Sequence, residues 1–192
     1  MEAKNQRFEL RGHIQHRFLR FAAILLLGLS VASAADTMPV SEFTTTSIKK
    51  AKVLEDSSRE KNPEIDHFKY LCPGLGGYEV LFEGADLRTW INLMINGRTI
   101  DLQSATQASC PGTFPAKAND AIEWRGVRKG DAFVPYAIIY RMESSANDDK
   151  QTRIETFVII KLDGKNSKVV ASIPAKEGEK KAEAVADKLR DQ

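Results

Sequence analysis

Residues suited to catalytic and metal centres are scarce: the chain has two cysteines and three histidines in 192 residues. Two cysteines and one nearby histidine underfill a zinc shell, and the C-x-x-C spacing of a redox motif is missing. There is no G-x-S-x-G elbow to carry a serine nucleophile. The glycine-rich stretch Pro73-Gly74-Leu75-Gly76-Gly77 lacks the G-x-x-x-x-G-K-[ST] pattern. It leads into strand-like sequence, so a tight turn explains it better than a phosphate loop. No apolar run is long enough to span a bilayer with certainty of register. The longest, 21–35 (FAAILLLGLSVASAA), would rise about 22 Å as a helix, against a hydrocarbon core of roughly 30 Å.

That short run has a context. Lys4, Arg7, Arg11, Arg17 and Arg20 precede it, and Ala32-Ser33-Ala34 closes it with alanine at both positions of an A-x-A site. A basic segment, an apolar segment and a small-residue site in that order read as an export signal over 1–34. The alternative, an uncleaved anchor, is disfavoured by the length of the run. No twin arginine precedes it and no cysteine follows, so neither a twin-arginine signal nor a lipoprotein is indicated. The expected location is the periplasm or the exterior, without stable membrane insertion once the signal is cleaved.

Cleavage would change the charge. The chain has 28 basic and 26 acidic residues; 1–34 hold five and two of them, leaving 23 and 24. A nearly neutral remainder gives no electrostatic footprint for nucleic acid. Of the remainder, 35–66 is polar and sparse in apolar residues, and is expected to be a flexible leader. Residues 67–192 are expected to form one β-rich domain.

The period within 67–192 is two. Tyr78, Val80 and Phe82 share a face against Glu79 and Glu83, with Gly84-Ala85-Asp86 read as the following turn. The run 87–95 then meets Asn96-Gly97, the strongest short hairpin signal, since a type I′ turn needs positive φ at both central residues. A long loop is expected over 103–119. Further strands follow over 121–126, 132–142, 152–162 and 167–173, the last two joined at Asp163-Gly164. Helical spacing of Ala182, Val185, Ala186 and Leu189 ends the chain. The expected fold is mainly β (α+β), an antiparallel meander sheet or half-barrel of about seven strands with one C-terminal helix.

Cys72 and Cys110 each precede Pro-Gly, and in an oxidising compartment a lone pair is expected to bridge. Closing that loop would stabilise by roughly 4 kcal/mol. The candidate binding surface comprises Phe114, on the long loop, with Trp90, Trp124, Arg88 and Arg125. An exposed tryptophan beside arginine resembles an interface hot spot, although most strand aromatics must be core. His67 and the carboxylates Glu79, Glu83 and Asp86 are the residues a hydrolase of envelope polymers would use. Alternating acids on a strand are more simply its solvated face.

The segments Tyr70-Leu71-Cys72-Pro73-Gly74, Gly77-Tyr78-Glu79-Val80, Asp86-Leu87-Arg88 and 134–141 (VPYAIIYR) together resemble uncharacterised exported (periplasmic) proteins of alphaproteobacteria. That resemblance implies a Gram-negative periplasmic setting and supplies no catalytic residues. A weaker likeness, through Tyr70, Cys72 and Trp124, is to periplasmic inhibitors of c-type lysozyme. Here 104–109 (SATQAS) lacks the glycine of their inhibitory loop, and the second cysteine is placed differently. The expected function is a non-enzymatic periplasmic binding or inhibitory module, without metal or cofactor, whose partner is a periplasmic protein or envelope component. The alternatives are the hydrolase and a structural envelope protein without a discrete ligand.

Overall fold

A computed structural model of the chain describes residues 38–57 and 66–192. The expected export signal lies outside the described residues. Ten strands form two five-stranded sheets. The first sheet has the order β1 (Pro39–Thr45), β7 (Thr113–Lys129), β8 (Ala132–Ser145), β9 (Arg153–Lys161), β10 (Lys168–Pro174). The second runs β2 (Lys52–Asp56), β3 (His67–Cys72), β4 (Tyr78–Ala85), β5 (Arg88–Ile95), β6 (Arg98–Ile100). Every neighbouring pair is antiparallel. Two helices complete the fold, α1 (Gln103–Ala108) and α2 (Glu179–Asp187).

The β-rich, antiparallel reading therefore stands, and its finer form is corrected. Among the described residues there are ten strands rather than about seven, in two sheets rather than one curved sheet or half-barrel, and two α-helices rather than one. Part of the expected flexible leader is ordered: β1 lies along β7, from Pro39 opposite Val127 to Thr45 opposite Ala121, and β2 pairs with β3. Both are edge strands, β1 mostly half-buried and β2 mostly exposed, so their sequences lack the apolar alternation of central strands. The expected 103–119 loop is also replaced. Its first part is a six-residue helix, too short to show a helical period, and its second part begins β7. Register shifts interrupt the β7–β8 ladder between Thr113 and Ala116 and between Lys117 and Ile122, which breaks the period of two.

The two sheets share one core. Inward side chains of the second sheet (Tyr70, Val80, Phe82, Ile91, Leu93) meet those of the first (Ile122, Trp124, Ile138, Tyr140, Val158). The opposite face of the first sheet is covered by α2, where Ala182 and Ala186 pack on Ala137, Ile139, Phe157 and Ile159. Alternate residues of β8 and β9 therefore enter different cores, which is why 137–140 and 157–160 read as unbroken apolar runs. Alanines on the buried stripe of α2 let its backbone approach the sheet closely. Each fully buried Ile or Val contributes about 1.5–3 kcal/mol relative to exposure.

Hairpin geometry fixes the β5–β6 register. Asn96 and Gly97 adopt φ 51° and 72°, the left-handed pair of a type I′ turn, between Ile95 and its partner Arg98. The β4–β5 turn falls two residues later than expected. Gly84 and Ala85 remain in β4, and the turn is Asp86-Leu87, at φ 52° and 63°. Gly84 is kept in the strand by the Phe68 ring, which lies 2.5 Å from where a Cβ would stand.

Candidate functional site

Three of the five side chains expected on a binding surface are buried. Trp124 has no exposed area, stands in the shared core, and donates its indole N–H to Thr44 Oγ1 at 2.8 Å. Trp90 keeps only 7% of its surface. Arg125 keeps 6% and holds α2 against the first sheet: Nε and Nη2 donate to the two oxygens of Asp187 at 2.9 and 2.7 Å. Its remaining nitrogen, Nη1, donates to Ser41 Oγ at 2.7 Å, and Tyr136 donates its hydroxyl to Asp187 at 2.6 Å. These residues stabilise the fold and present no surface to a partner. Local sequence could not separate Arg125 from an exposed arginine, because its partner lies 62 positions along the chain.

The expected disulfide is also corrected. Cys72 and Cys110 are both free and buried. Each thiol donates to a nearby carbonyl, Cys72 to Tyr70 O at 3.9 Å and Cys110 to Thr106 O at 3.6 Å. Matching Cys-Pro-Gly sequences end unlike elements, a strand in one case and a short helix in the other.

The residues of the candidate hydrolase do not form a catalytic pair. Glu83 accepts a hydrogen bond from Asn92 Nδ2 at 2.9 Å and lies 3.5 Å from the Lys69 ammonium. Asp86 is paired with Arg88, and His67 Nε2 lies 4.0 Å from Glu55. Glu79 is exposed. Among the described residues no group of three or more His, Cys, Asp or Glu is placed to hold a metal ion. No described helix is long and apolar enough to cross a membrane.

The other two expected residues are brought together. The Arg88 guanidinium lies over the Phe114 ring, 5.0 Å from its centroid. Phe114 is 43% exposed, and the adjacent turn residue Leu87 is 74% exposed. Lys117 donates its backbone N–H to Thr89 Oγ1 at 2.7 Å, which holds the start of β7 beside the start of β5. Arg88 is further steered by Asp86, donating to its backbone carbonyl at 3.1 Å and pairing with its carboxylate.

Left-handed backbone occurs in this patch, as it does elsewhere at Asn96 and Gln151. Leu87 has φ 63° and Phe114 has φ 51°, left-handed values that cost a large L-residue about 1–2 kcal/mol. Neither side chain is compensated by burial. Two exposed apolar residues in left-handed backbone therefore flank one arginine. Local sequence assigns Leu87 to a strand, with the turn at Gly84-Ala85-Asp86, whereas β4 extends to Ala85 and puts Leu87 in the turn. No family model, curated protein or solved structure matches the chain.

Proposed function

We propose that the chain is an exported, non-enzymatic binding module that recognises a periplasmic protein or envelope component through Leu87, Arg88 and Phe114. The observation that carries this reading is the strain at Leu87 and Phe114. Exposed apolar side chains in left-handed backbone cost stability without gaining burial, which favours a use at the surface. The rigid two-sheet scaffold favours recognition without rearrangement. Support for export comes from the basic, apolar and A-x-A segments at 4–34 and from the resemblance to periplasmic proteins of alphaproteobacteria. The Arg88–Phe114 pair contributes about 0.5–1 kcal/mol at an exposed site and pre-orders both side chains for a partner.

A photo-crosslinking phenylalanine analogue placed at position 114, in cells that export the protein, tests this directly. A discrete adduct is expected at 114 and not at the exposed control position Val134. Leu87→Gly should abolish that adduct while raising stability by about 1 kcal/mol, because glycine removes the left-handed strain. Absence of an adduct at 114, or the same adducts at 134, would refute the assignment.

A further inference from the structure

On one side of β9 the ladder stops early. β10 pairs only as far as Pro174, opposite Thr156. On the other side β8 continues to Ser145, opposite Arg153. Arg153, Ile154 and Glu155 therefore have a strand partner on one side and none on the other. Proline has no N–H to donate, and after it the chain turns away through Ala175–Glu177 towards α2.

A groove of about 880 Å³ occupies this place. It is lined by Ile154 and Thr156 as well as by Arg153 and Glu155. Successive side chains leave a strand by opposite faces, so one groove that touches both sets must follow the strand's open edge. Ser109 and Pro111, beyond the end of α1, form the far wall.

The charge of the groove is uneven. Arg141, Arg153 and Lys176 line it against the carboxylate of Glu155, and Arg153 also pairs with Glu143 beside the groove. Both arginines share that carboxylate, Arg141 Nε at 2.7 Å and Arg153 Nη2 at 2.9 Å. Ile154, Pro111 and Pro174 supply apolar surface between the cations.

We propose that the open edge of β9 is a strand-addition site for an extended peptide segment of another protein, with acidic and apolar side chains in alternation. The β9 backbone supplies main-chain hydrogen bonds over about 10 Å of edge. Acidic side chains on one face of the added strand meet Arg141, Arg153 and Lys176, and apolar ones on the other meet Ile154 and Pro111. The groove and the Leu87–Phe114 patch are lined by different residues, so this site does not depend on that patch.

The test uses a fluorescent Val/Glu alternating heptapeptide as probe, read by anisotropy and by amide exchange of the protein. Saturable binding is expected, with slowed exchange confined to 153–155. A Val/Lys heptapeptide and a backbone N-methylated Val/Glu heptapeptide should each bind about tenfold more weakly or worse. The exposed double substitution Arg153→Glu, Lys176→Glu should reverse the preference between the two charged peptides, whereas Val134→Ser, at an exposed position that does not line the groove, should leave it unchanged. The proposal is overturned if the acidic peptide shows no saturable binding, or if the N-methylated and lysine peptides bind as well. It is equally overturned if 153–155 become protected with rising protein concentration alone, which would mark the edge as a contact between copies of this chain.

Discussion

Burial keeps the two thiols protonated. It pushes the Cys72 thiol up to about 11, with Lys117 opposing weakly, and the Cys110 thiol up to about 11. Only the thiolate is a nucleophile, so both side chains behave as small apolar core residues under native conditions. Thiol titration without reductant should find close to two thiols per chain after denaturation. In the native protein both should react about 100-fold more slowly than a free cysteine, since access and ionisation are each restricted. A denatured count near zero would show that the pair is oxidised and would displace the free-thiol arrangement. The contrast with Phe114 is instructive at this scale. Both sulfurs are hidden, as is usual for free cysteine, whereas the large Phe114 ring is exposed against its ordinary preference.

At the scale of elements, α2 depends on one carboxylate. Burial raises the pKa of Asp187, but the bonds from Arg125 and Tyr136 outweigh it, and the net effect holds the carboxyl below its usual range. Asp187→Asn should cost about 3 kcal/mol, because it leaves Arg125 charged in a site where little of its side chain is exposed. Because the folded pKa is depressed, this stabilisation is fully present above the unfolded value near 3.9 and is lost as pH falls through the folded value. The stability gap between wild type and variant should therefore close on acidification, measured by urea unfolding across pH. A constant gap would show that packing, not charge, attaches the helix. Glu123 runs in the opposite sense: burial raises its pKa, with the Ser41 hydroxyl opposing, so it favours the fold at low rather than high pH.

The elements differed in how plainly the sequence announced them. α2, β4, β9 and the Asn96-Gly97 turn follow from periodicity and turn chemistry that are complete within a dozen residues. β1, β2 and the first half of β7 are specified by partners far along the chain, such as Glu42 opposite Trp124. Their polar side chains, half-buried or exposed, carry no local period. The candidate site was legible only in part for the same reason. Arg88 and Phe114 could be named, but their meeting across 26 positions and the turn shift that exposes Leu87 are properties of the assembled sheets.

For the whole molecule, the shared core argues against independent unfolding of the two sheets. Tyr78 of the second sheet packs on Trp124 of the first, with ring centroids 6.4 Å apart, and its hydroxyl oxygen accepts from the Gly164 N–H at 2.7 Å and shares a hydrogen bond with the Ser167 hydroxyl at 3.4 Å, both in the β9–β10 turn. Tryptophan fluorescence, which reports Trp90 in one sheet and Trp124 in the other, should change together with far-ultraviolet circular dichroism in one denaturant transition. Two separated transitions would mean that the sheets fold as distinct units. The position of β1 and β2 has a practical consequence for anyone trimming the chain. A recombinant version starting at His67 would remove the outermost strand of both sheets at once, uncover the backbone of β7 and β3, and delete the hydroxyl that Trp124 relies on. Such a fragment would be prone to stack edge to edge into insoluble material, so the residues from Pro39 onward belong in any expression plasmid meant to yield the native domain.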